Sequence, residues 1–188
     1  MKQITIYLAL VVMIFACMAV CGSVSAADGT GQVQTTKMAP DGYSSYSNDA
    51  AGVSFMYPPS WNKQENILDS VVVFVKNDRS SVNLVAQDLM KVYKKPLTLD
   101  EINSLNLKQL NQIIKDMKIV ENTPTEFHGN DARLIKYTGR FNEKDYLWEQ
   151  IVFTRGNTVY TLTYTAPPDK YDANAAEAYD IMDSMKLK

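Results

Sequence analysis

Val71-Val72-Val73-Phe74-Val75 is the stretch on which the fold turns. Five consecutive apolar residues, four of them β-branched, predict a strand covered on both faces. A strand with one wet face would alternate apolar and polar positions instead. Asn77-Asp78-Arg79-Ser80 follows with turn-forming side chains, and Val82-Asn83-Leu84-Val85-Ala86 resumes an alternating strand pattern. The two runs read as a hairpin. Upstream, Ala51-Gly52 introduces a short strand at Val53-Ser54-Phe55-Met56-Tyr57. Pro58-Pro59 stops it, and Trp61 follows directly.

Downstream the periodicity changes from two to 3.6. Thr98 and Glu101 form a capping box that predicts a helix over residues 98–115. Ile102, Leu105, Leu110, Ile113, Ile114 and Met117 fall on one face of that helix and read as core. An antiparallel meander follows, with strands expected over residues 120–127, 132–137, 146–154 and 158–164. Gly129-Asn130-Asp131, Asn142-Glu143-Lys144-Asp145 and Gly156-Asn157 supply the turns between them. Tyr160, Leu162 and Tyr164 share one face of the last strand. Pro167-Pro168 ends the sheet, and Asp172 is expected to cap a terminal helix whose Ala175, Ala178, Tyr179, Met182 and Met185 lie on one face. Strands bracketed by two amphipathic helices, one strand being apolar on both faces, predict an α+β domain. Its antiparallel sheet would carry helices on both sides.

The N-terminus has a different chemistry. Lys2 is the only charged residue among the first 26, and residues 4–20 are almost wholly apolar. Val24-Ser25-Ala26 places small side chains where a signal peptidase reads them, so cleavage between Ala26 and Ala27 is expected. The apolar run is long enough that retention as a membrane anchor is the alternative. Both cysteines, Cys17 and Cys21, lie in this segment. Met18-Ala19-Val20-Cys21 makes Cys21 a candidate lipidation site, although Val20 is larger than such a site prefers. A plain apolar role is the favoured reading. Residues 27–42 are rich in Gly, Thr, Gln and Asp and read as a flexible spacer, which leaves residues 43–188 as one folded domain.

Composition narrows the function classes. The 162 residues after Ala26 are enough to bury ~70% of the unfolded chain's surface without disulfides or metals. They carry 18 Lys and Arg against 21 Asp and Glu, a weakly acidic balance that gives no footprint for duplex nucleic acid.

The order of motifs resembles the PsbP family. Tyr43 and Tyr46 precede Gly52-Val53-Ser54-Phe55 and Tyr57-Pro58-Pro59-Ser60-Trp61. Then come the 71–74 and 81–85 runs, and Gly129, Ala132, Leu134 and Tyr137. Tyr160-Thr161-Leu162-Thr163-Tyr164 and Ile181, Asp183, Ser184 and Met185 close the set. The resemblance covers residues 43–188. It implies an α/β/α sandwich, the fold PsbP shares with a eukaryotic Ran-binding factor, and a non-enzymatic binding or assembly role with no cofactor. Fold kinship does not by itself carry function.

Catalytic signatures are sparse. His128 is the only histidine and reads as a solvated turn residue. Phosphate-loop and dinucleotide-binding glycine motifs are absent from the sequence. Asp100-Glu101 suits a helix start, and Glu143 with Asp145 suits a hairpin turn. The candidate interaction patch is Lys91, Tyr93, Lys94 and Lys95, expected in a loop before Thr98. Its cations would meet an anionic membrane surface or an acidic protein. Trp61 and Trp148 read as core. The resulting expectation is an exported, non-catalytic binding module outside the cell membrane. A small-molecule carrier with an apolar pocket between helix and sheet is the alternative.

Overall fold

Residue 42 is where the structure, a computed structural model, begins to describe the chain, and it continues to residue 188 apart from residues 66 and 68. The targeting segment, Cys17, Cys21, the Ala26–Ala27 junction and the spacer up to residue 41 lie outside the described residues. In chain order the elements are β1 (Ser44–Asn48), β2 (Val53–Tyr57), β3 (Asn62–Gln64), β4 (Ser70–Val75), β5 (Ser81–Asp88), α1 (Leu89–Tyr93) and α2 (Leu99–Ile113). They continue with β6 (Lys115–Phe127), β7 (Asn130–Phe141), β8 (Lys144–Arg155), β9 (Thr158–Ala166), α3 (Pro168–Asp183) and β10 (Lys186–Leu187). Two antiparallel sheets result among the described residues. One has seven strands in the order β3-β4-β5-β9-β8-β7-β6, and a smaller one has the order β1-β2-β10.

The strand centred on Val73 behaves as its composition requires. In β4, Val72, Val73, Phe74 and Val75 are all buried. β4 pairs with β5 as the expected hairpin, and the Asp78 carboxylate accepts from the Ser80 amide at 3.0 Å to close the turn. Two further hairpins use pairs of residues with positive φ, the conformation that matches the right-handed twist of their strands. His128 (φ 50°) and Gly129 (φ 75°) join β6 to β7. Asn142 (φ 48°) and Glu143 (φ 60°) join β7 to β8, and the Lys115 ammonium holds the Glu143 carboxylate at 2.7 Å.

Successive side chains of a strand point to opposite faces, and those of β8 divide accordingly between two apolar clusters. Leu147, Ile151 and Phe153 join the first. It also contains Phe74, Leu84, Leu162, Tyr164, Trp61 and Phe55, together with Tyr171, Ala178, Ile181 and Met182 of α3. Tyr146, Trp148 and Val152 join the second, with Ile135, Tyr137 and Val159, and with Ile102 and Leu110 of α2. Trp61 and Trp148 are both buried, as expected.

Both long helices differ from their expected boundaries. The Thr98–Glu101 capping box forms, with the Thr98 amide donating to the Glu101 carboxylate at 2.8 Å. The helix ends at Ile113, however, and the chain turns directly into β6, so Met117 lies on a strand. Ile113 is 44% exposed, and the buried face of α2 carries Asn103 and Asn106 beside Ile102 and Leu110. Asn106 donates to Gln150 at 3.0 Å, and Gln150 donates to Thr163 at 3.1 Å. This buried polar chain is invisible to an apolar periodicity count. α3 starts one turn before Asp172. Pro168 occupies the first helical position, where a missing N–H costs nothing and φ is already helical. The tight passage from α2 to β6 is packed against Gly139 of β7. A Cβ there would stand 2.3 Å from Ile114 Cγ2 and 3.0 Å from the Lys115 carbonyl.

Candidate functional site

The basic patch is built on a cap. Asp88 ends β5, and its carboxylate accepts from the amides of Met90 (2.9 Å) and Lys91 (3.2 Å). That winds the residues after it into α1. The sequence places Lys91 and Tyr93 in a loop; the structure places them on this one-turn helix, with Lys94 (φ 59°) as its left-handed C-cap. Lys91 and Lys95 are exposed but not uncompensated. Lys91 Nζ lies 4.0 Å from Asp88, and Lys95 Nζ lies 3.7 Å from Glu101. Lys94 has no ion-pair partner among the described residues. Tyr93 is half-buried against the cluster that holds Trp148, and desolvation raises its phenol above the ordinary range. Its ring therefore anchors α1.

The patch borders a cavity of about 540 Å³ lined by Tyr93, Lys95, Leu97, Asp100, Glu101, Ser104 and Leu105. Tyr93, Leu97 and Leu105 make its lining largely apolar, with the single cation Lys95 beside the acidic start of α2. The Glu101 carboxyl lies below the usual range because the Thr98 amide and hydroxyl donate to it, with the Lys95 charge adding to the effect. Asp100 is paired with Arg133 of β7. A second cavity, of about 480 Å³, opens where β6, β7 and β8 meet the C-terminal strand. Neither of these two cavities lies between a helix and the sheet.

Two polar networks join α3 to the large sheet, and neither was anticipated. In the first, the Glu177 carboxylate accepts from Lys76 (2.7 Å), the Trp61 indole (2.8 Å) and Ser60 (3.0 Å). Beside it, Asn174 donates to Asp78 (2.7 Å) and Ser80 (2.9 Å). The Lys76 bond, ahead of the Trp61 and Ser60 bonds, holds Glu177 below the ordinary carboxylate range despite partial burial. For Asp78, burial acts to raise the pKa, but the Asn174 and Ser80 bonds outweigh it and the net shift is downward. In the second network, Glu149 accepts from the hydroxyls of Tyr171 (2.8 Å) and Tyr179 (3.1 Å), with Lys136 at 3.6 Å. Lys136 also lies 4.6 Å from the Tyr171 ring centroid. Partners such as Trp61 and Glu177, 116 residues apart, leave no local sequence signal. An unpaired-looking Glu on the apolar-striped α3 was the available hint.

Among the described residues no group of three His, Cys, Asp or Glu side chains is placed to hold a metal ion. No described helix is long and apolar enough to cross a membrane. His128 is exposed at its turn.

A family model for PsbP-like proteins matches residues 4–187, and the chain belongs to that family. Among solved structures it is similar to cyanobacterial PsbP from Synechocystis sp. PCC 6803, with a TM-score of 0.58, 15% identity, and 82% of this chain and 98% of that chain covered. It is also similar to LpqN of Mycobacterium tuberculosis, described as involved in cell envelope biogenesis, with a TM-score of 0.56, 12% identity, and coverage of 79% and 86%. PA94 of Pseudomonas aeruginosa, a protein of unknown function, gives a TM-score of 0.53 at 14% identity over 78% and 97%. Sequence comparison with curated proteins gives no match. At these identities the structural likeness establishes the fold: mixed α/β, with antiparallel sheets and a PsbP-like arrangement.

Proposed function

We propose that this chain is an exported, non-catalytic binding or assembly module of α/β/α sandwich build. In this reading it works on the outer side of the cell membrane and docks an anionic surface through the α1 end. The sandwich reading is supported by the alternation of β8 side chains between an α3 cluster and an α2 cluster. Export is supported by the uncharged run over residues 4–20 followed by Val24-Ser25-Ala26, and by likeness to a protein of cell envelope biogenesis. A non-catalytic role is supported by the engagement of two partly buried carboxylates. Glu149 and Glu177 are held by tyrosine, tryptophan and lysine partners that fix α3 in place.

The observation that carries the docking surface is the clustering of Lys91, Lys94 and Lys95 at the α1 end. Asp88 caps it, Tyr93 anchors it, and Lys94 is free of ion pairing among the described residues. Cations near an anionic surface contribute about 1 kcal/mol each. Lys91 and Lys95 already share nearby carboxylates, so replacing all three with Gln is expected to weaken association by roughly tenfold or more. The test is co-sedimentation of the folded domain with vesicles containing anionic lipid, wild type against the triple Gln variant at two salt concentrations. Binding should fall with the substitutions and with salt, since the Debye length shrinks from about 10 Å at 0.1 M to about 3 Å at 1 M. Equal, salt-independent binding by both proteins removes the patch as a membrane site. A pull-down with an acidic protein surface then decides whether it has any docking role.

A further inference from the structure

The seven-stranded sheet ends on two unequal edges. β3 has three residues, whereas β6 has 13, and no described strand pairs with the outer side of β6. Large apolar side chains stand exposed where the chain leaves α2 and runs along this edge: Ile113 at 44%, Ile119 at 43% and Val120 at 61%. The edge is also guarded. Register shifts between Lys115 and Lys118 and between Ile119 and Glu121 mark bulges, and Pro124 has no N–H to donate. Such features oppose open-ended strand addition. They confine contact along this edge to a short run, and Lys118-Ile119-Val120-Glu121 carries the exposed apolar pair.

The second bulge sets the charges of that run in place. Lys118 stands opposite Thr138, Ile119 opposite Tyr137 and Glu121 opposite Lys136 on β7. Successive positions of β7 point to opposite faces, so Lys118 and Glu121 share one face of the sheet and Ile119 lies on the other. Without the extra residue, side chains three positions apart would face opposite ways. Neither charge is neutralised within the described chain. Lys118 has no ion-pair partner among the described residues, and Glu121 accepts only from the Thr123 hydroxyl, at 3.0 Å. Lys136, the cation across from Glu121, is engaged by Glu149 at 3.6 Å.

We propose that two copies of this chain associate through β6, antiparallel about a two-fold axis that passes between Ile119 and Val120. Each Lys118 then lies opposite Glu121 of the other copy, on one face of the joined sheet, and each Ile119 lies opposite Val120. Reversed, Lys-Ile-Val-Glu meets Glu-Val-Ile-Lys, so the run complements itself in charge and in apolarity. That self-complementarity selects a second copy over an unrelated partner. A two-fold contact closes on itself and leaves no β6 edge for a third copy. The contact is short, which places it in the weak, transient class of interfaces. It uses none of Lys91, Lys94 and Lys95, so it stands or falls separately from the docking surface.

The test is sedimentation velocity of the chain from residue 27 onward over a concentration series, with Lys118→Glu and Glu121→Lys run alone and mixed. Wild type should move from monomer toward dimer in the upper micromolar range. Either variant alone puts two like-charge pairs at the two-fold and should associate at least about tenfold more weakly. Mixing the two variants recreates both opposite-charge pairs in one heterodimer, and association should return to near the wild-type strength. The mixture is its own folding control, since only folded variants can restore association. Val120→Ser should weaken the dimer while leaving its salt dependence unchanged, because it removes an uncharged contact. A monomer at every concentration overturns the proposal. So does a dimer indifferent to both charge changes, or one that both changes weaken and their mixture fails to restore.

Discussion

The two apolar clusters on the large sheet bury similar side chains but treat the polar atoms of their aromatic rings in opposite ways. On the α3 side, the Trp61 indole reaches Glu177, the Tyr164 hydroxyl reaches the Tyr171 carbonyl at 2.7 Å, and the Tyr171 hydroxyl reaches Glu149. On the α2 side, Trp148 Nε1 and the hydroxyls of Tyr137, Tyr146 and Tyr93 are buried with no hydrogen-bond partner among the described residues. The side-chain oxygens of Asn103 and Asn106 share that condition. A buried polar group without a partner is destabilising by about 1–3 kcal/mol, whereas a made bond contributes about 1 kcal/mol. The difference teaches that α3 is fastened to the sheet by directed bonds. α2 has the Asn106–Gln150 bond and the Asp100–Arg133 pair, and the rest of the α2 and α1 attachment is apolar contact. The docking surface and its 540 Å³ cavity lie on the less fastened side.

The largest effect should come from cutting the α3 side at its centre. Trp61→Ala removes a 2%-exposed ring together with the indole bond to Glu177, and a loss of about 3–5 kcal/mol is expected in denaturant unfolding. A loss below about 1 kcal/mol, typical of surface substitutions, would place Trp61 outside the core. Gly139→Ala probes the α2 side through its exit into β6. The added Cβ cannot fit without moving Ile114 or the Lys115 backbone, so a loss of about 1–3 kcal/mol is expected from overpacking. A neutral result would show that the α2–β6 passage yields easily.

Much of this frame was legible in the sequence, and the misses have physical causes. The 71–75 run, the turn residues at 77–80, 129–131 and 156–157, and the Thr98–Glu101 box each carry local chemistry that dictates local structure. The hairpins and the helix start appeared where they were expected. β1, β3 and β10 are short and largely polar, and they exist because tertiary pairing supplies partners, so no pattern announced them. The buried Asn103 and Asn106 displaced Leu105 and Ile113 from the expected face of α2. The place of Asn106 depends on Gln150, 44 residues further on. The lysine patch was legible as composition, but its Asp88 cap and its ion pairs with Asp88 and Glu101 were not.

Acid should act more gently and on both sides, since Glu101 at the start of α2 also has its carboxyl below the ordinary range. Glu177 and Asp78, both on the α3 side, have carboxyls below their ordinary ranges. A depressed folded pKa contributes stability that is present above the unfolded value and is lost as pH falls through the folded one. The window therefore lies below about pH 4.5. Unfolding curves from pH 6 downward should show stability falling in that window, with a shallower fall for Glu177→Gln. An unchanged pH slope in that variant would mean that its bonds to Lys76, Trp61 and Ser60 contribute little.

The contrast between the clusters is tested most directly by removing single hydroxyls. Tyr164→Phe and Tyr171→Phe delete bonded hydroxyls on the α3 side, while Tyr137→Phe and Tyr146→Phe delete unbonded ones on the α2 side, with ring packing kept in all four. Equilibrium denaturation of these variants should show Tyr164→Phe and Tyr171→Phe losing about 1–2 kcal/mol. Tyr137→Phe and Tyr146→Phe should be neutral or more stable than wild type. Equal losses across all four would contradict the account, because the α2-side hydroxyls would then have to be bonded as firmly as those that fasten α3.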